Sequence, residues 1–115
     1  MRNKSLTKAY YSHSMHKYNT KEEKAERDYI ERVFSGIVIC PNRQIGASRP
    51  KRVYMHLITH MNAIFVSEYG QGIGKGVYDE RDHALQQSIP VYLATKRIKG
   101  YYHLPVKGIE RIPNH

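Results

Sequence analysis

The sequence holds one cysteine, Cys40, and no tryptophan. A lone cysteine excludes an intrachain disulfide and fits a reducing compartment. Cys40 closes the apolar run "GIVIC" and reads as a small buried hydrophobe rather than a nucleophile. No apolar stretch approaches the length that spans a bilayer, and the polar N-terminus lacks the hydrophobic segment of a secretory signal. The expected setting is the cytoplasm. There is no internal repeat and no low-complexity linker. Acidic residues are scarce: 10 Asp and Glu stand against 19 Lys and Arg, a net charge of +9, and none falls between Glu31 and Glu68. Such an excess implies an anionic partner, and on charge alone nucleic acid, nucleotide and membrane surface all qualify.

What is present is an alternation of strand and helix signals over 115 residues, enough for one domain with a small core. Residues 1–7 read as a flexible basic N-terminus. "KAYYSHSM" (8–15) predicts a first strand. "NTKEEKAERDYIERVFSG" (19–36) predicts a helix with a Thr20–Glu23 capping box, an apolar face of Ala25, Tyr29, Ile30, Val33 and Phe34, and Gly36 at its end. "GIVIC" (36–40) predicts a buried strand stopped by Pro41, and "PNRQIGASR" a loop. A second helix opens near Pro50 with Val53, Leu57, Ile58 and Met61 as its buried stripe. "AIFV" (63–66) has the continuous apolar character of a central strand. A helix to about Ser88, a strand "IPVYLAT" (89–95) and an extended tail "YYHLPVKGIERI" (101–112) complete the chain.

This order predicts an α/β fold with a doubly wound, mainly parallel, Rossmann-like sheet of four or five strands and helices on both faces. Ligands of such sheets bind beyond the carboxyl ends of the strands. The segments that follow strands carry His13, His16 and Lys17, then Arg43, Arg49, Lys51 and Arg52, then Lys75, then Lys96, Arg97 and Lys99. Positive charge is therefore expected along the ligand edge.

The stretch "YGQGIGKGVYDERDHAL" (69–85) sets glycines at alternate positions, 70, 72, 74 and 76, ahead of an acidic run. Alternating glycine permits close backbone approach by a ligand. In the helix that follows, Val77, Glu80 and Ala84 share one face, which draws Glu80 toward the buried side. Asp79 and Asp82 point elsewhere and suit capping or the surface. A carboxylate partly withdrawn from water at strand ends fits nucleophilic or acid–base work at a sugar carbon, and equally fits a bond to loop amides.

"SHSMHKYNT", "IVICPN" and above all "AIFVSEYGQGIGKGVYDERDHALQQSIPVYLA" resemble the nucleoside 2-deoxyribosyltransferase-like superfamily, which includes deoxynucleoside monophosphate N-glycosidases, over roughly residues 8–95. Gly76, Glu80, Ala84 and Pro90-Val91 match its glycine loop, nucleophile helix and following strand. The resemblance implies that Glu80 attacks the deoxyribose C1′, that the base departs, and that water or a second base resolves the glycosyl ester. It implies a sugar and base pocket lined by Ser12 and Ser14, with Tyr69, Gly72, Gly74 and Gly76 from the glycine stretch, and a homodimer or higher oligomer. Arg43, Arg49, Lys51, Arg52 and Lys75 are the candidates for holding a 5′-phosphate. Asn62 stands where the family has an aspartate at the start of the central strand, His13-Ser14 replaces a glycine-proline, and Asp82 replaces a glycine. His13 is the candidate proton donor in place of the aspartate.

Other motifs fall short. The glycines lack Walker spacing, and Gly76 stands where a magnesium-binding Ser or Thr is needed. His56 and His60 are four apart on a helix but lack the adjacent glutamate and a third ligand, so they read as structural. Neither a metal nor a cofactor is expected. The expectation is an N-glycoside hydrolase or deoxyribosyltransferase-like protein acting on a nucleoside or nucleotide, with no membrane partner. The alternative is a non-catalytic module of the same fold that binds nucleotide or nucleic acid.

Overall fold

The computed structural model describes residues 7–46, 49–70, 72–94, 96–97 and 100–101. Four strands, β1 (Lys8–Ser12), β2 (Ile37–Ile39), β3 (Ala63–Val66) and β4 (Val91–Leu93), form an all-parallel sheet in the order β2-β1-β3-β4. Helices α1 (Lys21–Val33), α2 (Pro41–Gln44), α3 (Lys51–Thr59) and α4 (Lys75–Gln86) connect them. The chain leaves β1 for one side of the sheet and crosses to the other for β3. That reversal opens a crevice beyond the carboxyl ends of β1 and β3.

Alternation along the strands divides the interior in two. Tyr10, Ile64, Val66, Val91 and Leu93 face α3 and α4 and pack with Ile58, Ile73, Val77 and Ala84. Ala9, Tyr11, Ala63 and Phe65 face α1 and pack with Tyr29, Ile30 and Cys40. Both faces are thus covered by helices, as the unbroken apolar run of β3 requires. Burying side chains such as Ile64 and Val66 contributes about 1.5–3 kcal/mol each.

Several elements differ from expectation. β1 stops at Ser12 because the Ser14 hydroxyl accepts from His16 N–H at 3.2 Å and caps a 3-10 turn over Met15–Lys17. Helix α1 starts on the Thr20 cap as foreseen, with Thr20 Oγ1 accepting from Glu23 N–H at 3.1 Å. Its inward face is different: Glu23, Glu26, Tyr29 and Ile30 are buried, while Ala25 and Val33 are exposed. Gly36 does not end the helix. It lets the Thr7 backbone approach, since a β-carbon there would lie 2.6 Å from the Thr7 carbonyl oxygen. Part of the loop expected after Pro41 is the single turn α2, with Pro41 at a first-turn position where no N–H is missed. Pro50 precedes α3 as its cap. Residues 96–97 and 100–101 form a short antiparallel pair. Residues 1–6, most of the predicted extended tail and Lys99 lie outside the described residues.

Candidate functional site

Glu80 sits in the second turn of α4, between the buried Val77 and Ala84. The spacing that buries those two carries Glu80 to the carboxyl end of β1. There Tyr10 Oη donates to its Oε2 at 2.8 Å and Ser12 Oγ donates to its Oε1 at 2.6 Å. Burial pushes the Glu80 carboxyl up to about 7, while the two hydroxyl donors hold it down against that rise. Glu80 keeps partial exposure because a cleft of about 380 Å³ opens over it. That volume falls in the range of small-molecule sites.

The cleft brings together much of what the sequence singled out. His13, Ser14, Gly74, Gly76, Arg49, Lys51, Lys75 and Glu80 all line it. A β-carbon on Gly76 would meet nothing within 4 Å, so this glycine faces open space. Asp79 is not a helix cap. It pairs with Lys51 and, at 2.9 Å, with Lys75, placing two ammonium groups side by side at the cleft. Asp82 accepts from Arg81 at 3.0 Å on the surface.

The other candidates lie outside the cleft wall. Ser12 is fully buried and reaches the site through Glu80. Tyr69 stacks on His16 with ring centroids 4.9 Å apart, and its N–H bonds the Gly72 carbonyl at 2.9 Å. Arg43 turns to Glu23, 3.6 Å away, and Arg52 is exposed on α3. Asn62 precedes β3 at the opposite end of the sheet, where its Oδ1 accepts from Lys8 N–H at 2.8 Å. Val66, the partner of Ser12, lies four positions further along, which is roughly 13 Å of strand. It does not reach Glu80.

His13 is at the cleft, yet both ring nitrogens are engaged. Nδ1 lies 3.1 Å from the Tyr11 carbonyl, which can only accept, and Nε2 lies 2.6 Å from Glu23 Oε2. Burial pushes the imidazolium down, with Glu23 opposing. Burial works against the Glu23 charge too, but hydrogen bonds from His13, Asn19 N–H and Asn42 hold the Glu23 carboxyl below its usual range.

Sequence reading missed three tyrosines of the site. Tyr10 positions Glu80, and Tyr18 and Tyr54 line the cleft. Burial, reinforced by the Glu80 charge, raises the Tyr18 hydroxyl to about 12, so it stays protonated at neutral pH. The chain's heavy use of tyrosine was the available signal. Also missed was the polar network under α1. Glu26 accepts from Tyr11 Oη and Ser67 Oγ at 2.6 Å each and from Lys17 Nζ at 2.8 Å. Among the described residues one group of three metal-ligating types converges: the ligand atoms of His13, Glu23 and Cys40 lie within 4.8 Å of one another. Cys40 is buried, as its apolar surroundings suggested, and burial raises its thiol to about 11.

No family model matches the chain, and neither a curated protein nor a solved structure matches it. Among the described residues no helix is long and apolar enough to cross a membrane.

Proposed function

We propose that the protein cleaves or transfers the N-glycosidic bond of a (deoxy)nucleotide or a related anionic nucleoside, with Glu80 as the nucleophile. The observation that carries this reading is the Glu80 carboxyl, anchored by two hydroxyls at the floor of a cleft that also holds Lys51 and Lys75. Tyr10 and Ser12 fix the carboxylate while each oxygen keeps a lone pair for C1′. Attack forms the Glu80–C1′ ester as the C1′–N bond breaks, and its electron pair leaves with the base, which takes up a proton from solvent water. Water then hydrolyses the ester, or a second base accepts the sugar. Lys51, Lys75 and Arg49 suit a 5′-phosphate at the mouth. The reducing cytoplasm suits a chain with one buried cysteine.

A non-catalytic nucleotide-binding module is the second reading, and one observation favours it. Neither ring nitrogen of His13 is free to protonate a leaving base, and Asn62 is remote. Chromatography of deoxynucleosides and their 5′-monophosphates incubated with wild type and Glu80→Gln separates the two. Free base from wild type alone, with a sugar adduct on Glu80 by mass spectrometry, is the expected result. Nucleotide binding without base release by the folded wild type would establish the second reading.

A further inference from the structure

We propose that His13, Glu23 and Cys40 form a binding site for a divalent metal ion of the zinc class. The three come from different elements, His13 just past β1, Glu23 in the first turn of α1, and Cys40 just past β2. β1 and β2 are neighbours in the sheet, so parallel pairing carries all three to one end of it. All three are buried, and their ligand atoms lie within 4.8 Å of one another. Imidazole nitrogen, carboxylate oxygen and thiolate sulfur are the donor types that zinc takes.

The surroundings are those of a prepared ligand set. His13 Nδ1–H is spent on the Tyr11 carbonyl at 3.1 Å, which leaves Nε2 as the donor atom facing Glu23. Metal-binding histidines are held this way by a second partner. The ring plane is fixed by stacking on Tyr11, centroids 3.8 Å apart, and by an edge contact with Tyr18. On Glu23, Oε1 accepts from Asn19 N–H at 3.1 Å and faces Arg43, while Oε2 is turned to His13. Asn42 bridges the other two ligands: its Nδ2 donates to Glu23 Oε2 at 2.9 Å and its Oδ1 accepts from the Cys40 thiol at 3.2 Å.

The distances bracket those of a tetrahedral site, and separations of up to 4.8 Å close by about 1 Å around the ion. Tetrahedral bonds of about 2.0–2.3 Å set ligand atoms roughly 3.4–3.7 Å apart. The His13–Glu23 contact of 2.6 Å then opens by about 0.8 Å to admit the ion. Charge also balances. The ion's two positive charges meet the Glu23 carboxylate and the Cys40 thiolate, and the protons displaced from the ligand atoms leave to solvent, so the buried ion is paired with two anionic ligands. Once the thiol proton is gone, Asn42 Oδ1, 3.2 Å from the sulfur, no longer has a donor there and is a candidate for the fourth position, as is water.

Cobalt titration of the tag-free, chelator-treated full chain tests the site, because a cobalt–thiolate bond gives a near-ultraviolet charge-transfer band that nitrogen and oxygen ligands do not. The expected result is one equivalent per chain, the band present, and its displacement by zinc. Cys40→Ser should abolish the band and weaken binding at least tenfold. The double variant His56→Ala/His60→Ala should keep both, since that exposed pair at the C-terminal end of α3 is the competing surface site. Absence of the band in the folded wild type would overturn the proposal, as would cobalt binding that survives Cys40→Ser but is lost with His56 and His60. The wild-type spectrum and the double variant decide the matter even if Cys40→Ser fails to fold.

Discussion

On one face of the sheet Tyr10 and Ser12 donate to Glu80, and on the other Tyr11 and Ser67 donate to Glu26. The two carboxyl groups hang from neighbouring tyrosines of the same strand and accept from the same kinds of hydroxyl. What differs is the cation. Lys17 reaches Glu26 at 2.8 Å and also donates to Ser67, closing a charge-paired network with both side chains largely withdrawn from water. Lys51 and Lys75, which line the cleft with Glu80, are held instead by Asp79. Among the described residues Glu80 therefore has hydroxyls but no ammonium hydrogen-bond partner, and it faces a cleft. A carboxylate neutralised in the interior holds the fold together. One left without a counter-ion at a cleft has a proton to exchange and a lone pair to use.

The sharpest way to break this comparison is to neutralise each carboxylate in turn. Glu80→Gln should lower base release by about 10⁴-fold or more, the scale seen when a nucleophile is removed. Glu26→Gln should lower the yield or stability of folded protein but leave turnover per folded molecule unchanged. Equal losses of turnover in the two variants would mean that the faces do not differ in role.

Removing the cation from the structural face comes next. Lys17→Met leaves the Glu26 charge buried with hydroxyls alone, which should cost about 3–5 kcal/mol in urea unfolding. The matching change in the cleft, Lys51→Met, removes an exposed partner of Asp79 and should cost no more than about 1 kcal/mol. A small loss for Lys17→Met would show that Glu26 needs no counter-ion.

The same proton should govern stability and activity at Glu80. Its carboxyl is raised from 4.5 to about 7 on folding, so between those values the native state binds more protons than the unfolded chain. Stability contributed by this group is full below about 4.5 and is lost as pH rises to about 7. Unfolding experiments across that range should show Glu80→Gln losing this slope and gaining roughly 1–3 kcal/mol over wild type near neutrality. Turnover should move the other way, rising through about pH 7 as the nucleophile ionises.

The contrast also explains what could be read from the chain. The parallel sheet was legible because β3 is apolar at every position and Gly, Pro and cap residues mark most boundaries. Glu80 was legible because Val77 and Ala84 at helical spacing pull it inward. Glu23 and Glu26 were not, because glutamate on a charged helix normally faces water, and Ala25 and Val33 offered a more hydrophobic face. Only the partners brought by folding (His13 and Asn42 for Glu23, Lys17 and Ser67 for Glu26) make their burial affordable. Asn62 was misplaced by resemblance alone. Its position at the start of β3 puts it at the far edge of a parallel sheet, away from every carboxyl end.

The finest test uses the two tyrosines themselves, adjacent in sequence and opposite in direction. Tyr10→Phe removes the hydroxyl that stabilises ionised Glu80, so the midpoint of the pH–rate profile should move above 7 by about one unit, the equivalent of one hydrogen bond to a charge. Tyr11→Phe removes a donor to Glu26, where Lys17 and Ser67 still serve the carboxylate, and should cost about 1–2 kcal/mol of stability. It should leave the pH–rate midpoint where it is. A displaced midpoint in Tyr11→Phe, or an unmoved one in Tyr10→Phe, would show that the titrating group of the reaction is not Glu80.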